Sequence, residues 1–417
     1  MTANFFINRI LLVCVIFLLQ TVRVTAQYSF DGPPIHYWES TATDRVARLA
    51  ARIDAGELTL QPDHQGNYLQ AVLRELDIPV SSQALVFSKT SLQVHQISPE
   101  TPRAIYFNDD CYVGWVQDGY MIEFGAMDDA LGGVFYSMRL NGGSARLSRD
   151  RGGCIACHAS QRTERVPGFF VRSIYPRANG KPREPGTVTD HRSPLETRWG
   201  GWYVTGTHGD LRHFGNTFAD DPVDSFKMDV NVGANRMMLD DLCETSAYPS
   251  PHSDIVALMV LEHQAQMHNL ITRANFETRK VMALADGDLN DKARDRIAVA
   301  GDALFQYMLF CDEPNLPSAI KGSSSFTEDF VARGPTNSQG QSLRDLDLQT
   351  RLFRHPCSYL VYSSAFAALP KPMLDYLRVR LMDVLHHRDS SERFAHLSVD
   401  DRNTIRLILD ETKPDWL

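Results

Sequence analysis

The pentapeptide Cys154-Ile155-Ala156-Cys157-His158 constrains this chain more than any other feature. Its C-x-x-C-H spacing places two thiols where they can add across the two vinyl groups of a haem. The next residue, an imidazole, is then delivered to the iron as an axial ligand. With 7 Cys and 14 His in 417 residues, such a pattern arises by chance in about 0.4% of chains, so the spacing is informative. Cys154 and Cys157 are the expected covalent sites and His158 the expected iron ligand. A redox dithiol would call for a βαβ setting before the motif, and zinc would call for a second ligand pair that no other C-x-x-C supplies.

The N-terminus reads as a secretory signal peptide over residues 1–26. Arg9 supplies a cation, Ile10 to Leu19 an apolar run, and Val24-Thr25-Ala26 a small-residue cleavage site before Gln27. Thr21, Arg23 and Thr25 interrupt the run before the roughly 20 residues that a membrane span needs. Cys14 lies inside the run and not at its end before a small residue, which argues against lipoprotein attachment. No later stretch is long enough to span a membrane, so no stable span is expected after cleavage, and the expected location is the periplasm of a bacterium. Losing Arg9 and Arg23 moves the formal charge from −9 to −11, and an acidic exported protein has no electrostatic case for nucleic acid. Outside the motif the mature chain holds Cys111, Cys243, Cys311 and Cys357, which allow three complete disulfide pairings. The alternative is four buried apolar thiols, favoured at Cys111 by its neighbours Tyr112 and Val113.

Beyond the signal peptide, three regions follow: a mixed α/β region over 27–141, a haem-attachment region with long irregular loops over 142–250, and a mostly helical region over 251–417. Apolar spacing predicts helices at Asp44 to Ile53 and Asn67 to Leu76. Short β-branched and aromatic runs then predict an antiparallel meander: Ala84 to Ser88, Ala104 to Asn108, Tyr112 to Gln117, Met121 to Ala126 and Val134 to Leu140, with Gln117-Asp118-Gly119 as a hairpin turn. Residues 167–221, rich in Gly, Pro, Arg and His, read as a long irregular segment with one or two short strands, where a haem pocket wall is expected. Helices are expected from Ile255 to about Ala285 with Ser253 as N-cap, and over Ala293 to Phe310, Pro372 to His386 and Val399 to Thr412. Residues 318–342 read as loop.

The distal side of the iron decides between functions, because a sixth protein ligand suits electron transfer and an open position suits binding or activating a small molecule. Downstream candidates are His191, His208, His213, Met228, Met237 and Met238, with Met127 and Met138 upstream. His208 is singled out because Arg198 to Gly209 combines aromatic residues, glycines and an imidazole; its alternative is a capping His beside an aromatic strand pair. Haem propionates call for cations, and Arg162, Arg165, Arg172, Arg192 and Arg198 lie near the motif in sequence. Farther on, Glu262, Gln266, Asn269 and Arg273 fall on one helical face. They read either as a buried polar row for proton handling or substrate contact, or as an exposed face with side-chain pairs.

The motif in an exported chain resembles that of c-type cytochromes. Taken with Arg103 to Asp110, Thr189 to Pro194 and Arg198 to Gly209, the chain is similar to a group of large bacterial proteins that carry a single cytochrome c motif. The resemblance implies one covalently attached haem c on Cys154 and Cys157, with His158 as axial ligand. The expected architecture is α+β, a strand-rich N-terminal half and a helical C-terminal half around that haem. The expected function is electron transfer with an unidentified redox partner protein. The alternatives are a haem-dependent oxidoreductase acting on a peroxide or a nitrogen or sulfur compound, and a haem-based sensor or binding protein.

Overall fold

In the computed structural model, residues 28–64, 66–140, 145–219, 228–285 and 289–416 are described below. The expected signal peptide lies outside them. The chain divides into two compact units, Met1–Ser40 and Thr41–Leu417. In the first, the described residues form a run of turns in which the rings of Tyr28 and Phe30 stack at 5.0 Å and those of Phe30 and Tyr37 meet edge-on at 5.3 Å.

The second unit is built on a six-stranded antiparallel meander. Its strands are β1 (Ala84–Val86), β2 (Arg103–Phe107), β3 (Cys111–Val116), β4 (Met121–Asp128), β5 (Gly132–Arg139) and β6 (Leu147–Arg149), paired in sequence order. Five of the six match the short β-branched and aromatic runs of the sequence. The sixth is too short and polar to announce itself. At the β3–β4 turn Asp118 takes a φ of 56° and the Gly119 N–H bonds the Val116 carbonyl at 3.0 Å, as the turn residues require.

Register decides what one face of this sheet presents. Ile105, Gly114, Glu123, Ser137 and Ser148 lie in one cross-strand row, and Phe107, Tyr112, Gly125 and Phe135 in the next. Arg103, two residues before Ile105, shares that face. Its guanidinium reaches over Gly114 to Glu123 at 2.9 Å. A side chain at Gly114 would occupy that crossing, since a Cβ there would lie 2.5 Å from Arg103 Nη2.

The helical half follows the sequence closely. Helices run over Ile255–Ala285, Asp291–Met308, Lys371–Leu385 and Val399–Thr412. The first, hereafter the long helix, is buried on nearly every side along most of its length, as expected of a helix at the centre of a packed domain. Its cap differs from the expected Ser253. Asp254 Oδ1 accepts from the N–H groups of Val256 and Ala257, whereas Ser253 bonds the sheet side through Leu85 N–H and the Tyr203 carbonyl. The region 318–342 also holds a two-residue strand, Lys321–Gly322, and a short helix, Phe326–Val331. Among the described residues no helix is long and apolar enough to cross a membrane. Cys111, Cys243, Cys311 and Cys357 are free, buried thiols.

Candidate haem-attachment site

The pentapeptide forms a single helical turn, Ile155–His158, entered from Cys154. Asp150 shapes that entry: one carboxylate oxygen accepts from the N–H groups of Gly152 and Cys154, both at 2.9 Å. The Asp150 N–H in turn bonds the Phe135 carbonyl at 2.8 Å, which ties the turn to β5. Cys157 is exposed and Cys154 half-buried. A thiol from each end of one turn is thus presented beside the following imidazole.

His158 is seated by aromatic and backbone contacts. Its ring lies 4.8 Å from that of Phe135 and 5.0 Å from that of Phe170. Nδ1 donates to the Gly168 carbonyl at 2.9 Å, and the Gly168 N–H returns a bond to the His158 carbonyl at 2.9 Å. With the proton fixed on Nδ1, Nε2 keeps its lone pair, the form in which a histidine ligates a metal. Burial holds the imidazole down to about 4, so it stays neutral at physiological pH.

The surroundings of Cys154 bear on the redox alternative. Burial, Asp150 and Glu123 push Cys154 up to about 12, against the opposing pull of Arg103. A redox dithiol needs a nucleophilic thiolate with a lowered pKa, so the environment runs against that chemistry. Among the described residues no group of three or more His, Cys, Asp or Glu is placed to hold a metal ion. The donor set fits a covalently held haem: two thiols and one correctly protonated imidazole.

Residues far away in sequence complete the surroundings. The loop after the motif passes through Glu164 and Arg165 with φ of 57° and 61°, left-handed values that non-glycine residues seldom adopt. The long helix holds it there. Gln266 Nε2 donates to Glu164 Oε1 at 2.9 Å, Arg273 pairs with Glu164 Oε2 at 2.8 Å, and Asn269 bonds both main-chain groups of Phe169. Glu262, the remaining member of the row, pairs with Arg198 at 3.1 Å and accepts from Thr189 Oγ1 at 2.6 Å. The polar row is therefore mostly buried, and it docks the segments that follow the motif. Beside Glu164 lies a cavity of about 250 Å³ lined by Arg192, Gln266, Arg273 and Tyr307, smaller than a drug-sized ligand occupies.

No family model, no curated protein and no solved structure matches this chain. The site therefore rests on its own geometry and on the motif.

Each histidine candidate for the distal position has one ring nitrogen bonded and the other buried without a hydrogen-bond partner among the described residues: His191 Nε2, His208 Nδ1 and His213 Nε2. His208 is buried, its Nε2 accepting from the Asn235 N–H at 3.0 Å, and its ring meets His213 at 4.8 Å. His213 Nδ1 accepts from the Gly215 N–H, and His191 Nδ1 meets His263 Nδ1 at 2.9 Å. The Met228 sulfur accepts from Thr217, while Met237 and Met238 are exposed. Of the five arginines near the motif, Arg192 is held by Asp190 and Arg198 by Glu262. Arg172 is half-buried, and burial, with Arg162 beside it, lowers its pKa from the ordinary arginine value. Arg103, 51 residues before the motif, acts on both Cys154 and His158. Sheet register puts it there, and only its polar character within a buried strand could have signalled it.

Buried imidazoles carry a pH signature. Burial lowers His213 and His268 to about 3 each, and the two are 2% and 0% exposed. Unfolded, each takes a proton near pH 6.5, which the native state refuses until far lower pH, so stability present above pH 6.5 is lost as pH falls. At pH 5 the loss is about 2 kcal/mol per site. Replacing both with Phe is expected to flatten the slope of stability between pH 7 and pH 5 in urea titrations. An unchanged slope would contradict the assignment.

Proposed function

We propose that the chain is an exported monohaem c-type cytochrome that carries electrons in a periplasmic redox pathway of a bacterium. Its haem c is held through thioethers at Cys154 and Cys157 with His158 on the iron. The observation that carries this reading is the bond from His158 Nδ1 to the Gly168 carbonyl, which fixes the tautomer and leaves the Nε2 lone pair for a metal, next in sequence to a turn that carries both cysteines. Bound there, the haem supplies one-electron chemistry. The chain's part is to orient the imidazole, keep it neutral and hold the turn against the sheet through Asp150.

Expression with a c-type haem attachment system and export is the direct test. The protein is expected to carry one haem that survives denaturing electrophoresis, and a colourless, fully processed protein would overturn the reading.

A second reading, a haem-dependent oxidoreductase acting on a small molecule, has one observation in its favour. The downstream methionines are spent or at the surface: the Met228 sulfur accepts from Thr217, and Met237 and Met238 are exposed. Carbon monoxide separates the two. Electron transfer through a six-coordinate iron predicts a reduced spectrum unchanged by the gas, and a shifted Soret band would favour the enzyme.

A further inference from the structure

The Gly168–Phe169 peptide unit is held at both ends. Its carbonyl accepts from His158 Nδ1 at 2.9 Å, and its N–H donates to Asn269 Oδ1 at 2.9 Å. A trans peptide is planar, with C=O and N–H pointing opposite ways, so the imidazole and the carboxamide sit at the two ends of one rigid plate. We infer that Asn269 is a positioning residue for the His158 imidazole, acting through this peptide to set both the orientation and the electron-donating strength of the axial ligand. The inference rests on the haem reading above.

Asn269 is built for that role. It is fully buried, and its carboxamide has one orientation that satisfies every neighbour. Oδ1 accepts from Phe169 N–H, while Nδ2 donates to the Phe169 carbonyl at 2.7 Å and to Gln266 Oε1 at 3.1 Å. Gln266 is in turn held by Glu164, which Arg273 pairs with. Swapping the oxygen and nitrogen would set donor against donor at Phe169 N–H. The approach is close, since a Cβ on Gly168 would lie 2.0 Å from Asn269 Oδ1.

The electronic consequence follows from polarisation along the chain of bonds. Accepting the Phe169 proton makes the Gly168 oxygen a better acceptor, which draws the His158 Nδ1 proton outward and gives the ring more imidazolate character. A more basic ligand favours ferric over ferrous iron. Losing Asn269 is therefore expected to move the equilibrium toward the ferrous form and leave the ring freer to turn.

The haem-loaded protein and its variants test this by reduction potential and by electron paramagnetic resonance of the ferric form. Asn269→Leu removes both bonds and is expected to shift the ferric–ferrous equilibrium up to tenfold toward ferrous, an upward change of up to about 59 mV for one electron, with altered g values. Asn269→Asp, protonated in its buried site, restores an acceptor and a donor and is expected to stay near the parent in both readings. Gly168→Ala, which displaces the carboxamide without touching it chemically, is expected to reproduce the leucine variant and serves if that variant fails to fold. Unchanged potential and g values in Asn269→Leu or Gly168→Ala, with haem attached, would overturn the positioning role. A parent protein without covalent haem would instead overturn the function on which it rests.

Discussion

Replacing Cys154 and Cys157 together with alanine is expected to abolish covalently retained haem, so that no haem colour survives denaturing electrophoresis. The argument is one of bonds. On the proposed reading each thiol would add across one vinyl group, and without either sulfur only a bond from His158 to the iron would remain, which denaturation breaks. Each single variant keeps one thioether and is expected to keep part of the colour. Cys157 is exposed and Cys154 only half-buried, and Ala keeps the Cβ of each. The double substitution should therefore cost little in packing, and loss of haem can be read as loss of attachment once circular dichroism shows the fold intact. His158→Ala is the complementary variant, in which the thioethers keep the colour on the chain while the low-spin spectrum is lost. If colour persists through electrophoresis in the double cysteine variant, the attachment sites are elsewhere.

The parts of this fold legible in sequence are those whose cause is local. Strands β1 to β5 follow from short β-branched and aromatic runs, and the last helix, Val399–Thr412, matches its expected bounds because Ser398 and Asp401 form a capping box that a reader can see. The parts that were not legible depend on register and docking. Ser253 and Asp254 are equally good caps on paper, and the sheet side decides between them by claiming the Ser253 hydroxyl for Leu85 and Tyr203. Arg103 becomes a neighbour of the motif because β2, β3 and β4 align Arg103, Gly114 and Glu123 on one face. The row on the long helix was visible as spacing, but spacing alone could not separate a solvated face from a clamp. What separates them is the loop carrying Glu164, Gly168 and Phe169, whose position no local pattern encodes.

The same row supplies the largest effect expected on stability. Arg198 and Glu262 meet at 3.1 Å with side chains 3% and 0% exposed, and Arg198 also donates from Nε to the Ser193 carbonyl at 2.8 Å and from Nη2 to the His191 carbonyl at 2.9 Å. Glu262→Leu strands a guanidinium that cannot lose its proton in a dry site. The expected loss is about 3–5 kcal/mol, read as a lower urea midpoint at unchanged m. Arg198→Leu has a different signature, because a carboxyl can neutralise itself. Burial already pushes Glu262 up to about 7 against the pull of Arg198 and Thr189, and removing the arginine pushes it higher. A carboxyl whose native pKa lies above its unfolded value contributes stability that is present at low pH and lost as pH rises through the native value. The deficit of Arg198→Leu relative to the parent should therefore be larger at pH 9 than at pH 6. Equal deficits at the two pH values would mean that the carboxyl does not respond to its partner. Arg198→Leu combined with Glu262→Leu should recover part of the loss of Glu262→Leu alone, since removing both charges leaves neither stranded. The carbonyls of His191 and Ser193, left without their donor, limit that recovery by about 1–3 kcal/mol each.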